Sequence, residues 1–294
     1  MSEEAGLSPI TLAAWEKWVA LAHQRCHLYF ALEGGSIPSH VAECQRSSSS
    51  TVERIVADLP REFSPAAVLE VGASVGFNST ALARRYPAAT VYSVEPDQEA
   101  VDVAAGMAAD MRLSYEPCCG VGEALPYPGG FFDLIVCHTV IEHVASVEQV
   151  IREMSRVLKP GGYLHIEAPN YFWPYEPHLS IWCIPLAGKP GVRLMARLQG
   201  QGAHVSYLDH LQFVTPWRLQ RCFAQHGLVW ENRVRRKLET VLAGDQSQVV
   251  AYKRVGRLLN GVNRMGLGKM LVKLAMGCGL FPSVLYTVRK PGIG

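Results

Sequence analysis

Two acidic residues 25 positions apart open the chemistry of this chain. Glu70 lies near the end of the apolar run Ala67-Val68-Leu69-Glu70-Val71, and Glu95 ends Thr90-Val91-Tyr92-Ser93-Val94-Glu95. The first run passes directly into Gly72-Ala73-Ser74-Val75-Gly76 and then a helical pattern from Asn78. Glycines at such a turn accept special backbone angles and let a ligand approach the main chain. The free N–H groups at the start of the following helix then face that ligand. By itself the loop suits either a dinucleotide pyrophosphate or the amino-acid end of a sulfonium nucleoside. The carboxylates narrow this. Glu70 would repel a diphosphate but can orient a ligand ammonium, directly or through water. Glu95, an acceptor-only group when ionised, can take both hydroxyls of a ribose.

Further pieces follow in a fixed order: Val94-Glu95-Pro96, Gly122-Glu123-Ala124-Leu125-Pro126-Tyr127, Phe131-Phe132-Asp133-Leu134-Ile135 and Val157-Leu158-Lys159-Pro160-Gly161-Gly162. With the loop itself they span roughly residues 50–170. In this order and spacing the chain resembles class I S-adenosylmethionine-dependent methyltransferases, especially the small-molecule group that includes those of ubiquinone biosynthesis. The resemblance implies S-adenosyl-L-methionine as cofactor. It implies that Glu70 and Gly72 border the methionine part, with Ser74 and Gly76 in the same loop. It further implies that Glu95 holds the ribose, that Pro96 touches adenine, and that His138 lies near the sulfonium and the substrate. Two positions depart from the family pattern. Ser74 stands where a glycine is usual, which fits the loop if its backbone angles are ordinary. In Gly120-Val121-Gly122-Glu123, Val121 replaces an aspartate that meets the adenine amino group, leaving adenine to backbone groups and apolar packing.

Methyl transfer needs an aligned nucleophile above all, and a phenol or amine acceptor also needs a base. The first candidate bases are His138, Glu142 and His143 in Cys137-His138-Thr139-Val140-Ile141-Glu142-His143, then His178, and His210 if Asp209 orients it. Some related methyltransferases hold a divalent ion with Glu-x-x-Glu-His plus a later ligand. Here the first of those glutamates is Thr139, so the expectation is a site without metal. The stretch after Pro169 should pass over the cofactor mouth. Its Tyr171, Trp173, Tyr175, Glu176 and Trp182 are the expected lining of an apolar acceptor pocket. A bulky apolar lid excludes water from the transfer. The expected reaction is methylation of a hydrophobic small molecule, first of oxygen with histidine-assisted deprotonation. Carbon or nitrogen methylation, an RNA methyltransferase and a non-catalytic binding protein are the alternatives.

Positioning these groups requires alternating strands and helices between residues 67 and 168, hence a mostly parallel sheet with right-handed crossovers. The expected fold is α/β, Rossmann-like, with seven strands, flanking helices and an inserted lid. Five segments follow: an N-terminal helical cap or lid over 1–50, with the polar, serine-rich run 45–50 as linker or lid edge; a cofactor-binding core over 51–170; the lid over 171–215; the end of the core over 216–253; and a cationic amphipathic segment over 254–294. Pro160-Gly161-Gly162 reads as a turn before a strand from Tyr163, and 228–235 and 247–253 read as late strands. The 294 residues are 49% hydrophobic with a net charge of +2. That balance argues against nucleic-acid capture. No stretch resembles a signal peptide, and no apolar run reaches membrane-spanning length. Eight cysteines without a CxxC pair fit reduced thiols in a cytoplasmic protein. The cationic tail allows peripheral membrane contact.

Overall fold

A computed structural model describes residues 6–24, 36–242, 261 and 263–292. Its main sheet has seven strands: β1 Ala67–Val71, β2 Thr90–Glu95, β3 Tyr115–Cys119, β4 Phe132–His138, β5 Leu158–Pro169, β8 Val229–Asn232 and β9 Ser283–Arg289. Their spatial order is β3-β2-β1-β4-β5-β9-β8, and a separate hairpin pairs β6 Tyr175–Glu176 with β7 Ile181–Trp182. Strands β1, β2, β3 and β4 are mutually parallel where they pair. The chain changes direction across the sheet between β1 and β4, and in such sheets the ligand crevice opens beyond the carboxyl ends at that point. The expected seven-stranded α/β fold is therefore present.

By its internal contacts the chain divides into two compact units. The first comprises Met1–Val140, Glu148–His165 and Arg289–Gly294; the second comprises Ile141–Val147 and Ile166–Val288. In the first unit, helices α3 Phe77–Arg85, α4 Gln98–Asp110 and α5 Val147–Val157 follow strands in the expected places. Val68, Leu82, Val91, Leu134 and Val136 are buried together in its core. Asp133 ties the start of β1 to β4, accepting from the amides of Ala66 and Ala67 at 2.9 Å each, while Lys159 binds its other oxygen at 2.8 Å.

The N-terminal helix α1 Pro9–Gln24 packs on α4, with Trp18 Nε1 donating to Asp97 at 3.2 Å. Trp15, Trp18 and Val41 share a cluster with Val75 of the glycine loop, so the N-terminal helices buttress that loop. The serine run is not a linker. Helix α2 runs unbroken from Ile37 to Ala57, capped by Ser36, and it carries the expected boundary at residue 50 in its interior. Ser49 Oγ and Thr51 Oγ1 donate back to carbonyls four residues earlier, so these polar side chains are satisfied without leaving the helix. Val41, Val52 and Ile55 give that helix its buried face.

Three other expectations change. Lys159-Pro160-Gly161-Gly162 lies inside β5, where Gly161 and Gly162 exchange backbone hydrogen bonds with Lys290. The strand expected over 228–235 stops at Asn232, and α8 Val234–Leu242 begins almost at once. Strand β9 is absent from the sequence reading altogether. The strand expected over 247–253 and the first part of the cationic tail lie outside the described residues. The second unit contains α6 Gly188–Leu198 and a 3-10 turn Gly202–His210. Helix α7 Pro216–Gln225 starts as expected, with Thr215 accepting from the Arg218 amide and proline at the first position. Helix α9 Gly268–Cys278 and β9 close the unit, and Asn170, after β5, is joined to them by donating to the carbonyls of Gly279 and Phe281.

Candidate active site

The loop after β1 holds three left-handed positions at alternate residues: Gly72 at φ +72°, Ser74 at +48° and Gly76 at +82°. Each glycine is required by space as well as by angle. A Cβ on Gly72 would sit 2.4 Å from Val140 Cγ1, and one on Gly76 would sit 2.6 Å from the Tyr115 hydroxyl. Ser74 does not have the ordinary angles its side chain would prefer. Its amide donates to Glu95 Oε2 at 2.8 Å, and this bond across the crevice holds the strained residue. Glu95 Oε1 accepts from the Asp97 amide at 3.2 Å. Burial raises the Glu95 carboxyl above its usual range, against the opposing pull of those two amides.

This arrangement makes a prediction. A left-handed residue with a side chain costs about 1 kcal/mol, and a branched one costs more. Ser74→Gly is expected to be tolerated within about 1 kcal/mol, and Ser74→Val to lose about 2 kcal/mol of stability. Urea unfolding of the three proteins measures both, and equal midpoints would show that the loop carries no strain.

Glu70 is buried and faces the start of α3, where Ser79 Oγ donates to it at 2.5 Å and Asn78 Nδ2 at 3.0 Å. Its place is thus behind the loop, fixing the helix start. Burial pushes its carboxyl up to about 7, opposed by the Ser79 and Asn78 bonds. The folded chain therefore keeps a proton that the unfolded chain releases near pH 4.5. Stability should fall as pH rises from about 4.5 to 7 by up to roughly 3 kcal/mol, then level off. Thermal melts of the wild type and Glu70→Gln across that window should diverge in this direction; parallel curves would contradict it.

Pro96 is exposed beside Glu95, and Val121 is exposed too, with no acceptor to offer adenine. The Gly120 amide donates to the Glu95 carbonyl at 3.0 Å, which brings this segment against β2. At Gly122 a Cβ would crowd Val71 Cγ1 at 3.1 Å. His138 ends β4, half-buried, its ring stacked on His165 with centroids 6.3 Å apart. Val140, two residues on, is the side chain against Gly72, so the end of β4 adjoins the loop. Sequence reading missed Ser79, Asn78, Tyr115 and Val140. Only Ser79 left a signal, one helical turn after Gly76 on the face toward the strand.

The second unit assembles another group. His178 Nδ1 lies 2.5 Å from Glu176 Oε1, and Glu176 Oε2 accepts from the Leu179 amide at 2.6 Å, both side chains being buried. The His143 ring packs edge-on against His178 at 5.2 Å, and Tyr207 stands beside both. Glu142 is 1% exposed, and its carboxylate accepts no hydrogen bond from another described residue. Burial raises its carboxyl to about 8, opposed by its own amide. One ligand atom from each of Glu142, His143 and His178 lies within 4.8 Å of the others. The expectation of a metal-free site did not include His178. One carboxylate and two imidazoles, one of them oriented by Glu176, form a donor set that fits a borderline divalent ion.

Tyr171, Trp173, Tyr175 and Glu176 line one cavity of about 170 Å³, together with Phe213 and Thr215. That is close to the volume that accommodates a single six-membered ring. Trp182 stands outside this lining, exposed and edge-on to Tyr175 at 5.4 Å. Asp209 does not orient His210. Its carboxylate pairs with Arg193, and His210 is exposed at the end of the 3-10 turn.

Known proteins match this picture. A family model described as a methyltransferase domain matches residues 69–166. The ubiquinone biosynthesis O-methyltransferase of Bartonella tribocorum is 29% identical over 161 residues, covering 55% of this chain and 59% of that protein. The ajmaline N-methyltransferase of Rauvolfia serpentina is 31% identical over 156 residues, 51% of this chain and 52% of that one. The chain thus spans little more than half the length of these relatives. The geranyl diphosphate C-methyltransferase of Streptomyces coelicolor shares the fold with a TM-score of 0.53 at 14% identity, over 97% of this chain and 89% of that one. Residues 69–166 are a class I S-adenosylmethionine-dependent methyltransferase domain. It is distantly related to the methyltransferases of ubiquinone biosynthesis.

Proposed function

We propose that the chain transfers a methyl group from S-adenosylmethionine to a hydroxyl oxygen of a hydrophobic small molecule. The observation that carries this reading is the loop of three left-handed residues, closed by Glu95 and laid at the carboxyl end of β1 beside its parallel neighbour β4. The methionine end of the donor lies along the amides that open α3, and Glu95 accepts the ribose hydroxyls. Val121 leaves the adenine edge to backbone and apolar contact. His138 takes the acceptor proton as the oxygen attacks the donor methyl carbon; the carbon–sulfur bond breaks and S-adenosylhomocysteine leaves.

The aromatic cavity of the second unit supports an apolar ring as acceptor, with Tyr171 and Glu176 as its polar wall. Glu142, His143 and His178 would hold a divalent ion, which would supply Lewis acidity to an acceptor oxygen. Glu176 keeps His178 in one tautomer and ring orientation.

The test is incubation of the full chain with methyl-labelled S-adenosylmethionine and a panel of apolar phenols, reading the labelled carbon by NMR. A signal at an alkoxy carbon is expected. Label recovered on carbon or nitrogen, or no transfer to any phenol, would overturn the oxygen-acceptor reading.

A further inference from the structure

We propose that the outer face of α6 and the loop preceding it dock on an anionic lipid surface, from which the apolar acceptor enters the aromatic cavity. The docking stands on the surface itself; the route of entry rests on the function proposed above.

Helix α6 has two apolar faces. Val192 and Ala196 are buried against Leu179, Ile181, Leu208 and Leu211. Two residues further on, at about 200° around the helix, Leu194 and Leu198 point to solvent. With Trp182, Ile184 and Leu186 they are 53–71% exposed, five large apolar side chains within 17 residues. Scattered single residues of this kind need no explanation, but a grouped set rimmed by polar residues marks an interaction surface.

Leu186 is a further sign. It is held at φ +63°, a left-handed backbone that a branched aliphatic residue avoids, and it is among the most exposed of the five. The turn that holds it is closed by the Ala187 amide donating to the Ile184 carbonyl at 3.2 Å, which presents the leucine outward.

Charge selects the partner. Lys189, Arg193 and Arg197 are interleaved with the apolar residues, and no acidic residue occurs between Glu176 and Asp209. Arg193 pairs with Asp209 at one edge. A second copy of this face would set these cations against one another, whereas anionic headgroups neutralise them while the leucines and tryptophan enter the acyl boundary. No helix among the described residues is long and apolar enough to cross a membrane, so the contact is interfacial. Ile184 and Leu186 also line the cavity, so its rim and the docking face share residues.

Helix α9 offers a competing surface through exposed Met270 and Leu274 with Lys269 and Lys273. Flotation with phosphatidylcholine vesicles, with and without phosphatidylglycerol, separates the two. The full chain should float only with the anionic vesicles and less at high salt. The double variant Leu194→Glu/Leu198→Glu should bind at least about ten-fold more weakly, while Met270→Glu/Leu274→Glu should bind as the wild type. Unchanged calorimetric binding of S-adenosylmethionine shows that each variant is folded. No flotation of the wild type, loss confined to the α9 variant, or an α6 variant that only turns a dimer into a monomer in ultracentrifugation would each overturn the proposal. Anionic flotation without methyl transfer would leave the docking intact and count against the proposed function alone.

Discussion

Glu95→Ala is expected to weaken S-adenosylmethionine binding by about a hundred-fold or more. A hydrogen bond to a charged group contributes about 1.5–3 kcal/mol. Loss of two from the ribose hydroxyls amounts to 3 kcal/mol or more, and each 1.4 kcal/mol is ten-fold. The substitution also removes the acceptor of the Ser74 amide, so the left-handed loop loses its tie across the crevice. Glu95→Gln keeps one acceptor oxygen and should fall between the two. Calorimetry on the three proteins reads the series, and an alanine variant that binds the donor normally would remove Glu95 from the ribose site.

His138→Ala separates binding from chemistry. General-base catalysis contributes about 10²–10⁴ in rate, so turnover should fall by that factor while donor affinity stays within about three-fold. Added imidazole should restore part of the lost rate, because the space vacated at the end of β4 can admit it. A merely structural histidine would give lower stability and no rescue. Turnover equal to the wild type would move the base elsewhere, His178 being the next nearest in chemistry because Glu176 already holds its other nitrogen.

The loop between β1 and α3 and its carboxylates were largely legible in the sequence. Glycines and carboxylates at strand ends punctuate the chain locally, so Glu70, Gly72, Gly76 and Glu95 could be placed from neighbours alone. What they touch could not. Val140 and Tyr115 explain why Gly72 and Gly76 must lack side chains, yet both come from other strands. Glu70 was expected to border the ligand, and its bonds to Asn78 and Ser79 at the start of α3 were not legible from spacing. Ser74 was expected with ordinary backbone angles and has left-handed ones, because the loop geometry and the Glu95 bond override its local preference.

Away from the loop the reading weakened for physical reasons. Four serines suggested a linker, but a buried face of Val41, Val52 and Ile55 and back-bonding to the preceding turn keep α2 continuous. Strand β9 follows a helical tail and fits between β5 and β8, a placement that only the assembled sheet defines. His178 is 35 residues from His143, and nothing in the spacing joins them. Glu176 was read as a wall of the pocket; it is that, and it also fixes His178. Trp182 and the cationic tail carry sequence signals for substrate and membrane, whereas the exposed leucines of α6 carry none, because Val192 and Ala196 already give that helix an ordinary buried face.

The central claim is that the loop between β1 and α3 holds a sulfonium nucleoside and not a dinucleotide. Calorimetric titration of the full chain with S-adenosylmethionine, S-adenosylhomocysteine and NAD tests it most directly. The account predicts saturable binding of both sulfur-containing ligands at one site, abolished or strongly weakened in Glu95→Ala, and no heat with NAD. Binding of NAD in place of the other two, or no binding of either sulfur ligand, would contradict it.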